Sequence, residues 1–196
     1  MQSSANVSLS SFEQELVTDA NWILTKNKII QKVFILFGEL SEAYQAHALL
    51  QHLPDEVLKA PPKISKGEFY EGLPYVMLDY PRCFGKDDVF AIRTFFWWGN
   101  FFSITFHLKG KYKQQYKASI EDAIIKNKLN NAWINVSDDE WLHHFQNNNM
   151  RMIEPAPAIE LGSKNLIKLA YKLDLKNWDA AKEFLMKSFD HYLQML

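Results

Sequence analysis

Residues 89–113 read VFAIRTFFWWGNFFSITFHLKGKYK, two alternating runs broken by Gly99-Asn100, and no other stretch restricts the fold as strongly. Alternation on both sides of a turn dipeptide marks a β-hairpin. A two-residue turn pairs Trp98 with Phe101 and fixes every other pair by simple counting. One face then carries Trp97 with Phe102, Phe95 with Ile104, Arg93 with Phe106 and Ala91 with Leu108, and is expected to be core. The other carries Trp98 with Phe101, Phe96 with Ser103, Thr94 with Thr105 and Ile92 with His107, and continues through Lys109, Lys111 and Lys113.

On either side of this hairpin the period changes. Ser11 with Gln14 has the spacing of a capping box, and Phe12, Leu16, Ala20 and Ile23 recur at helical spacing, which predicts a helix over 11–24. Thr25 or Asn27 caps a second helix with Ile29, Val33, Leu36, Phe37, Leu40, Tyr44 and His47 on one stripe, ended by Pro54. Pro61-Pro62 stops helical character, and strands over 64–70 and 74–80 follow. Beyond Tyr116, helices are predicted over 119–129, over DDEWLHHFQ (138–146), from Ser163 through Leu166, Ile167, Ala170 and Tyr171, and from Asn177 onward. MRMIEPAP at 150–157 reads as an edge strand because of its prolines. The expectation is an α+β fold: an antiparallel sheet built around the long hairpin, packed by N-terminal and C-terminal helices. A single domain over 1–196 is expected, helical over 11–53, strand-rich over 63–116 and helical over 119–196.

Charge and cysteine content narrow the function classes. A net charge of −1 supplies no global field for nucleic acid or an anionic membrane. Cys83 is the sole cysteine, so an intramolecular disulfide is excluded, and the amino terminus lacks the pattern of a secretory signal. IIQKVFILF and FFWWGNFF are far shorter than the roughly 20 residues that span a bilayer as a helix. A cytoplasmic protein without a membrane segment is expected.

The mixed hairpin face gives the main functional expectation, a non-catalytic small-ligand-binding or protein-interaction module. Thr94, Ser103, Thr105 and His107 beside Phe96 and Trp98 have the blend of apolar lining and placed polar groups found in ligand sites. The outer side of an antiparallel sheet has the same composition when it simply faces water. Arg93, on the expected core face, needs a partner; Asp79 is the nearest carboxylate in sequence, and an anionic ligand is the functional alternative. An enzyme acting on a small anion is the second reading, with His107 as acid or base and Arg93 or lysines holding the substrate. Phe96, Trp98 and Phe101 with Lys109, Lys111 and Lys113 resemble a single-stranded nucleic-acid platform only in composition, since rings and cations lie at opposite ends of the hairpin.

Other clusters carry less. Asp139 with His143 and Glu140 with His144 are four apart, a spacing that seats a metal, but the two histidines are adjacent and diverge on a helix. No metal or other cofactor is therefore expected. Glu39, Glu42 and His47 form a solvated stripe without the Glu-x-x-His repeats of a di-iron bundle. Cys83 follows Arg82 but has no assignable histidine partner, and the 7 glycines form no nucleotide-binding fingerprint. Trp178, Leu185, Met186, Phe189, Tyr192, Leu193 and Leu196 make the last helix more apolar than one narrow stripe, which raises a homodimer through that helix.

Overall fold

The structure, a computed structural model, describes residues 7–153, 161 and 165–196. Its strands are β1 (Lys63–Tyr70), β2 (Leu73–Phe84), β3 (Val89–Trp97), β4 (Phe101–Lys109), β5 (Trp133–Asn135), β6 (Met150–Met152) and β7 (Leu166–Asp174). They form one antiparallel sheet in the order β1-β2-β3-β4-β7-β5-β6. The helices are α1 (Ser11–Thr18), α2 (Ala20–Gln45), α3 (Asp55–Leu58), α4 (Lys111–Ile125) and α5 (Ala181–Gln194). The fold is α+β, with the hairpin at the centre of the sheet and helices from both ends of the chain against it.

One sheet face carries the core. Phe90, Ile92 and Phe96 of β3, Phe102, Ile104, Phe106 and Leu108 of β4, and Ile167 and Leu169 of β7 share the face that α2, α4 and α5 cover, with Phe90 against Tyr112 and Tyr116 of α4. Ile30, Val33, Phe37, Leu40 and Tyr44 recur at helical spacing and bury one stripe of α2. On α5 the buried side is Leu185, Phe189, Tyr192 and Leu193, and Tyr44 stacks on Phe189 with ring centres 3.8 Å apart. Trp178, Met186 and Leu196 are also packed against this core, so the apolar surplus of the last helix is largely used within its own chain. Two polar groups enter without penalty: the Thr94 hydroxyl meets Tyr44 Oη at 3.1 Å, and Tyr192 Oη lies 3.0 Å from the carbonyls of Ile104 and Leu169.

The hairpin pairs one residue out of the expected register. Trp98, Gly99 and Asn100 form a three-residue turn, Gly99 has φ +72°, and Trp97 rather than Trp98 faces Phe101. A one-residue change moves every side chain of one strand to the other face relative to its partner. Thr94, Phe96 and Ile92 therefore share the helix-covered face with Ile104, Phe102 and Phe106. Arg93, Phe95 and Ala91 share the opposite face with Thr105, Ser103 and His107.

Other expectations are corrected element by element. The break between the first two helices lies at Asp19, which accepts from Asn21 N, and α2 runs without interruption through Thr25 and Asn27. His47 falls beyond α2 and caps a short 3-10 turn. Lys111 and Lys113 sit on α4, not on a strand extension, because Gly110 (φ +61°) turns the chain and Asp88 accepts from Lys111 N at 2.7 Å. Residues 166–174, expected as a helix, are the interior strand β7. Both of its faces are covered over Leu166 to Tyr171, and such a continuous apolar run has no period that separates strand from helix. The stretch 138–146, also expected as a helix, is a loop in which Ser137 Oγ and Asp139 Oδ1 take up the backbone N–H groups of Asp139 and Trp141. The edge strand expected over 150–157 is present as β6, and its part after Ile153 lies outside the described residues, as does Ser163.

Candidate functional site

The second face of the sheet is covered by the 136–149 loop between β5 and β6 instead of by helices. Strand register places its polar residues: Thr105 on β4 is opposite Arg93 on β3, and His107 is opposite Lys168 on β7. The loop is fastened over them at two points. Tyr70 Oη, at the end of β1, accepts from the N–H groups of His143 and His144 at 2.6 and 3.1 Å. From beneath, Lys168 Nζ donates to the carbonyls of Glu140 (3.3 Å) and Leu142. Aromatic contacts seal the far end, where Phe145 meets Phe101 and Trp133 edge-on and Lys172 lies over both loop-side rings.

Arg93 has the partner that burial requires. Its Nε and Nη2 donate to Asp79 Oδ1 and Oδ2 at 2.7 and 2.9 Å, a bidentate pair on adjacent strands. The third contact, 3.2 Å from Nη1 to His143 Nε2, has a donor-only guanidinium on one side, so Nε2 accepts and the ring proton of His143 sits on Nδ1. Burial, reinforced by Arg93 and Lys168, keeps His143 neutral by pushing its pKa well below the usual histidine value.

Between Arg93 and Lys168 lies a cleft lined by Phe84, Ala91, Thr105, His107, Glu140 and His143. Its free volume is about 10 Å³, the scale of one water. Glu140 lines the cleft as well: its carboxylate accepts from Lys109 Nζ at 3.1 Å and stops 3.6 Å from His107 Nε2, beyond a good hydrogen bond. Nε2 of His107 is fully buried and has no hydrogen-bond partner. Burial, with Lys168, Arg93 and Lys109 adding repulsion, holds the His107 pKa down at about 3, so the 3.6 Å contact sets a carboxylate against a neutral ring. Burial and the Arg93 charge also lower Lys168 to about 8, against the opposing pull of Asp139 and Glu140. Three cations (Arg93, Lys109, Lys168) thus face two carboxylates (Asp79, Glu140), with both histidines neutral.

Of the residues expected to bind a ligand, Arg93, Thr105 and His107 line this cleft, and Ser103 is buried further along the same face. Thr94, Phe96 and Trp98 are corrected: Thr94 and Phe96 lie in the core on the opposite side, and Trp98, in the turn, packs against Phe96. Of Asp139, Glu140, His143 and His144, the loop brings only Glu140 and His143 to the cleft. Among the described residues no group of three or more His, Cys, Asp or Glu side chains could hold a metal ion. Sequence reasoning missed Lys168 and Tyr70. A lysine inside LIKLAY was the available signal, since on a strand it must point at something polar.

No family model matches the chain, and neither the curated proteins nor the solved structures compared with it gave a match.

Proposed function

We propose that the protein is a non-catalytic binding module for a small anion of carboxylate or phosphate chemistry, held between the sheet and the 136–149 loop. The observation that carries this reading is the unpartnered, fully buried Nε2 of His107 in a cleft shared with Thr105, Arg93 and Lys168. A buried polar group without a partner costs about 1–3 kcal/mol, which a ligand oxygen placed there would recover. The Glu140 carboxylate at 3.6 Å favours the tautomer with the proton on Nε2, so the ring presents a donor. Lys168 gives two of its three donors to loop carbonyls and has one left for the cleft. Glu140 acts as the internal anion that a ligand displaces. Turnover is the weaker reading, because a histidine held at about 3 is a poor general base at neutral pH.

Calorimetric titration of the full chain with acetate, inorganic phosphate and sulfate tests this. Saturable binding is expected for at least one anion. It should be lost in Thr105→Leu, which fills the cleft, and tightened several-fold in Glu140→Gln, which removes the competing charge. Saturable binding that is the same in wild type, Thr105→Leu and Glu140→Gln, or no binding by any of the three at millimolar anion, would sink the proposal.

A further inference from the structure

The second feature without an assigned use is at the opposite end of the chain. α2 is 26 residues long, about 39 Å at 1.5 Å per residue, but its buried residues begin only at Ile30. Of the preceding ten residues, about 15 Å, those from Ala20 to Thr25 are all exposed, and the first tie to the sheet is the ion pair of Lys26 with Glu68 on the edge strand β1. α1 buries no residue at all. Among the described residues, seven of the thirteen large exposed apolar side chains lie between Val7 and Leu24, with Phe12 at 67%, Val17 at 69% and Trp22 at 49% exposure. Single exposed apolar residues are ordinary, but such a concentration within eighteen residues, five of them on two consecutive helices, is not.

The arm has an encoded shape. Ser10 and Glu13 form a reciprocal capping box at the start of α1, and Asp19 closes α1 through its N–H to the carbonyls of Glu15 and Leu16 while its side chain caps α2. A helix of eight residues is marginal alone in water, so its stability calls for packing that the other described residues do not supply. The charges of the arm divide by helix. Residues 7–19 contain Glu13, Glu15 and Asp19 and no lysine or arginine; residues 20–32 contain Lys26, Lys28 and Lys32 and no acid.

We infer that this arm is the contact surface for a second copy of the chain. A two-fold axis places the acidic α1 of one copy against the exposed Lys28 and Lys32 of α2 of the other, Lys26 being paired with Glu68 in its own chain, and the same patch serves both partners, as an isologous interface requires. Phe12, Val17, Trp22, Ile23 and Leu24 then meet their counterparts in a small helical bundle between the two sheets. A lipid surface fits less well, since a helix lying on an anionic membrane carries a basic polar face and α1 is acidic.

Sedimentation velocity on the full chain over a concentration series decides the matter. The wild type is expected to dimerise at tens of micromolar or below, and Trp22→Ser with Leu24→Ser to weaken the dimer at least tenfold with an unchanged circular-dichroism spectrum. Glu15→Lys should weaken it as well, and adding Lys28→Glu should restore it. A wild type that stays monomeric at these concentrations overturns the inference, as does a dimer untouched by all of these variants; flotation of that monomer with vesicles of anionic lipid would assign the arm to a membrane instead.

Discussion

At the scale of single residues, the site is governed by how burial treats charge. Arg93 and Asp79 survive inside the protein because the bidentate pair satisfies both, while the two histidines survive by staying neutral. This neutrality has a cost in acid. The His107 pKa is depressed to about 3 in the folded chain from an unfolded value near 6.5, so the unfolded chain binds more protons between those values. Its contribution is full above about pH 6.5 and is lost as pH falls toward 3, amounting to about 3 kcal/mol by pH 4. His107→Gln, compared with wild type, removes this titration while Lys168, Arg93, Lys109, Glu140 and His143 stay around the position. The expected outcome, read by urea unfolding between pH 7 and pH 4, is that the variant loses less stability over this range. Parallel curves for the two proteins would show that His107 does not titrate as its burial demands.

At the scale of elements, what could be read from the sequence was the part written in periodic pattern. The α2 stripe was legible because one side of it is apolar and the other is not, and β1, β2 and the hairpin because short aromatic and β-branched runs lie between turn and proline signals. Three things were not. The register of the hairpin depends on whether Trp98 joins the turn or the strand, and Gly99-Asn100 fits both. The strand β7 is covered on both faces, which erases the period of two. The 138–146 loop carries helical spacing but is held by Tyr70 and Lys168, contacts distant in sequence. The candidate site is built from these three elements, so Arg93, Thr105 and His107 were named but grouped with the wrong neighbours. Element boundaries do rest on local chemistry in one testable place. Gly110 joins β4 to α4 at φ +61°, and a Cβ there would lie 2.1 Å from Asp88 Oδ1 and 2.3 Å from the Asp87 carbonyl. Gly110→Ala is expected to destabilise by more than about 1 kcal/mol. Gly38, inside α2 with nothing within 4 Å of a Cβ, is the control: Gly38→Ala should be neutral or stabilising by up to about 1 kcal/mol. Thermal unfolding of the two variants compares them directly, and equal effects would remove the strain argument.

At the scale of the whole molecule, the sheet has two unequal faces. Helices from both ends of the chain bury one face in an apolar core, whereas the other is covered by a loop that rests on charged and aromatic side chains. No helix among the described residues is long and apolar enough to cross a membrane. An asymmetry of this kind sets where the protein opens first, because local opening follows the segments with few buried apolar contacts and few backbone ladders. Backbone amides of β3, β4 and β7 should exchange with solvent only on global unfolding, whereas those of the 136–149 loop should exchange by local opening of the Tyr70 and Lys168 fastenings. Tyr70→Phe removes the acceptor for the N–H groups of His143 and His144, and exchange at those two amides should accelerate about tenfold or more while β4 is unchanged. An anion bound beneath the loop should slow the same amides in the wild type, since the open form loses the ligand. Loop amides as slow as those of β4, and insensitive to Tyr70→Phe, would mean that loop and sheet open as one unit, leaving the cleft no route by which Glu140 could give way to a ligand.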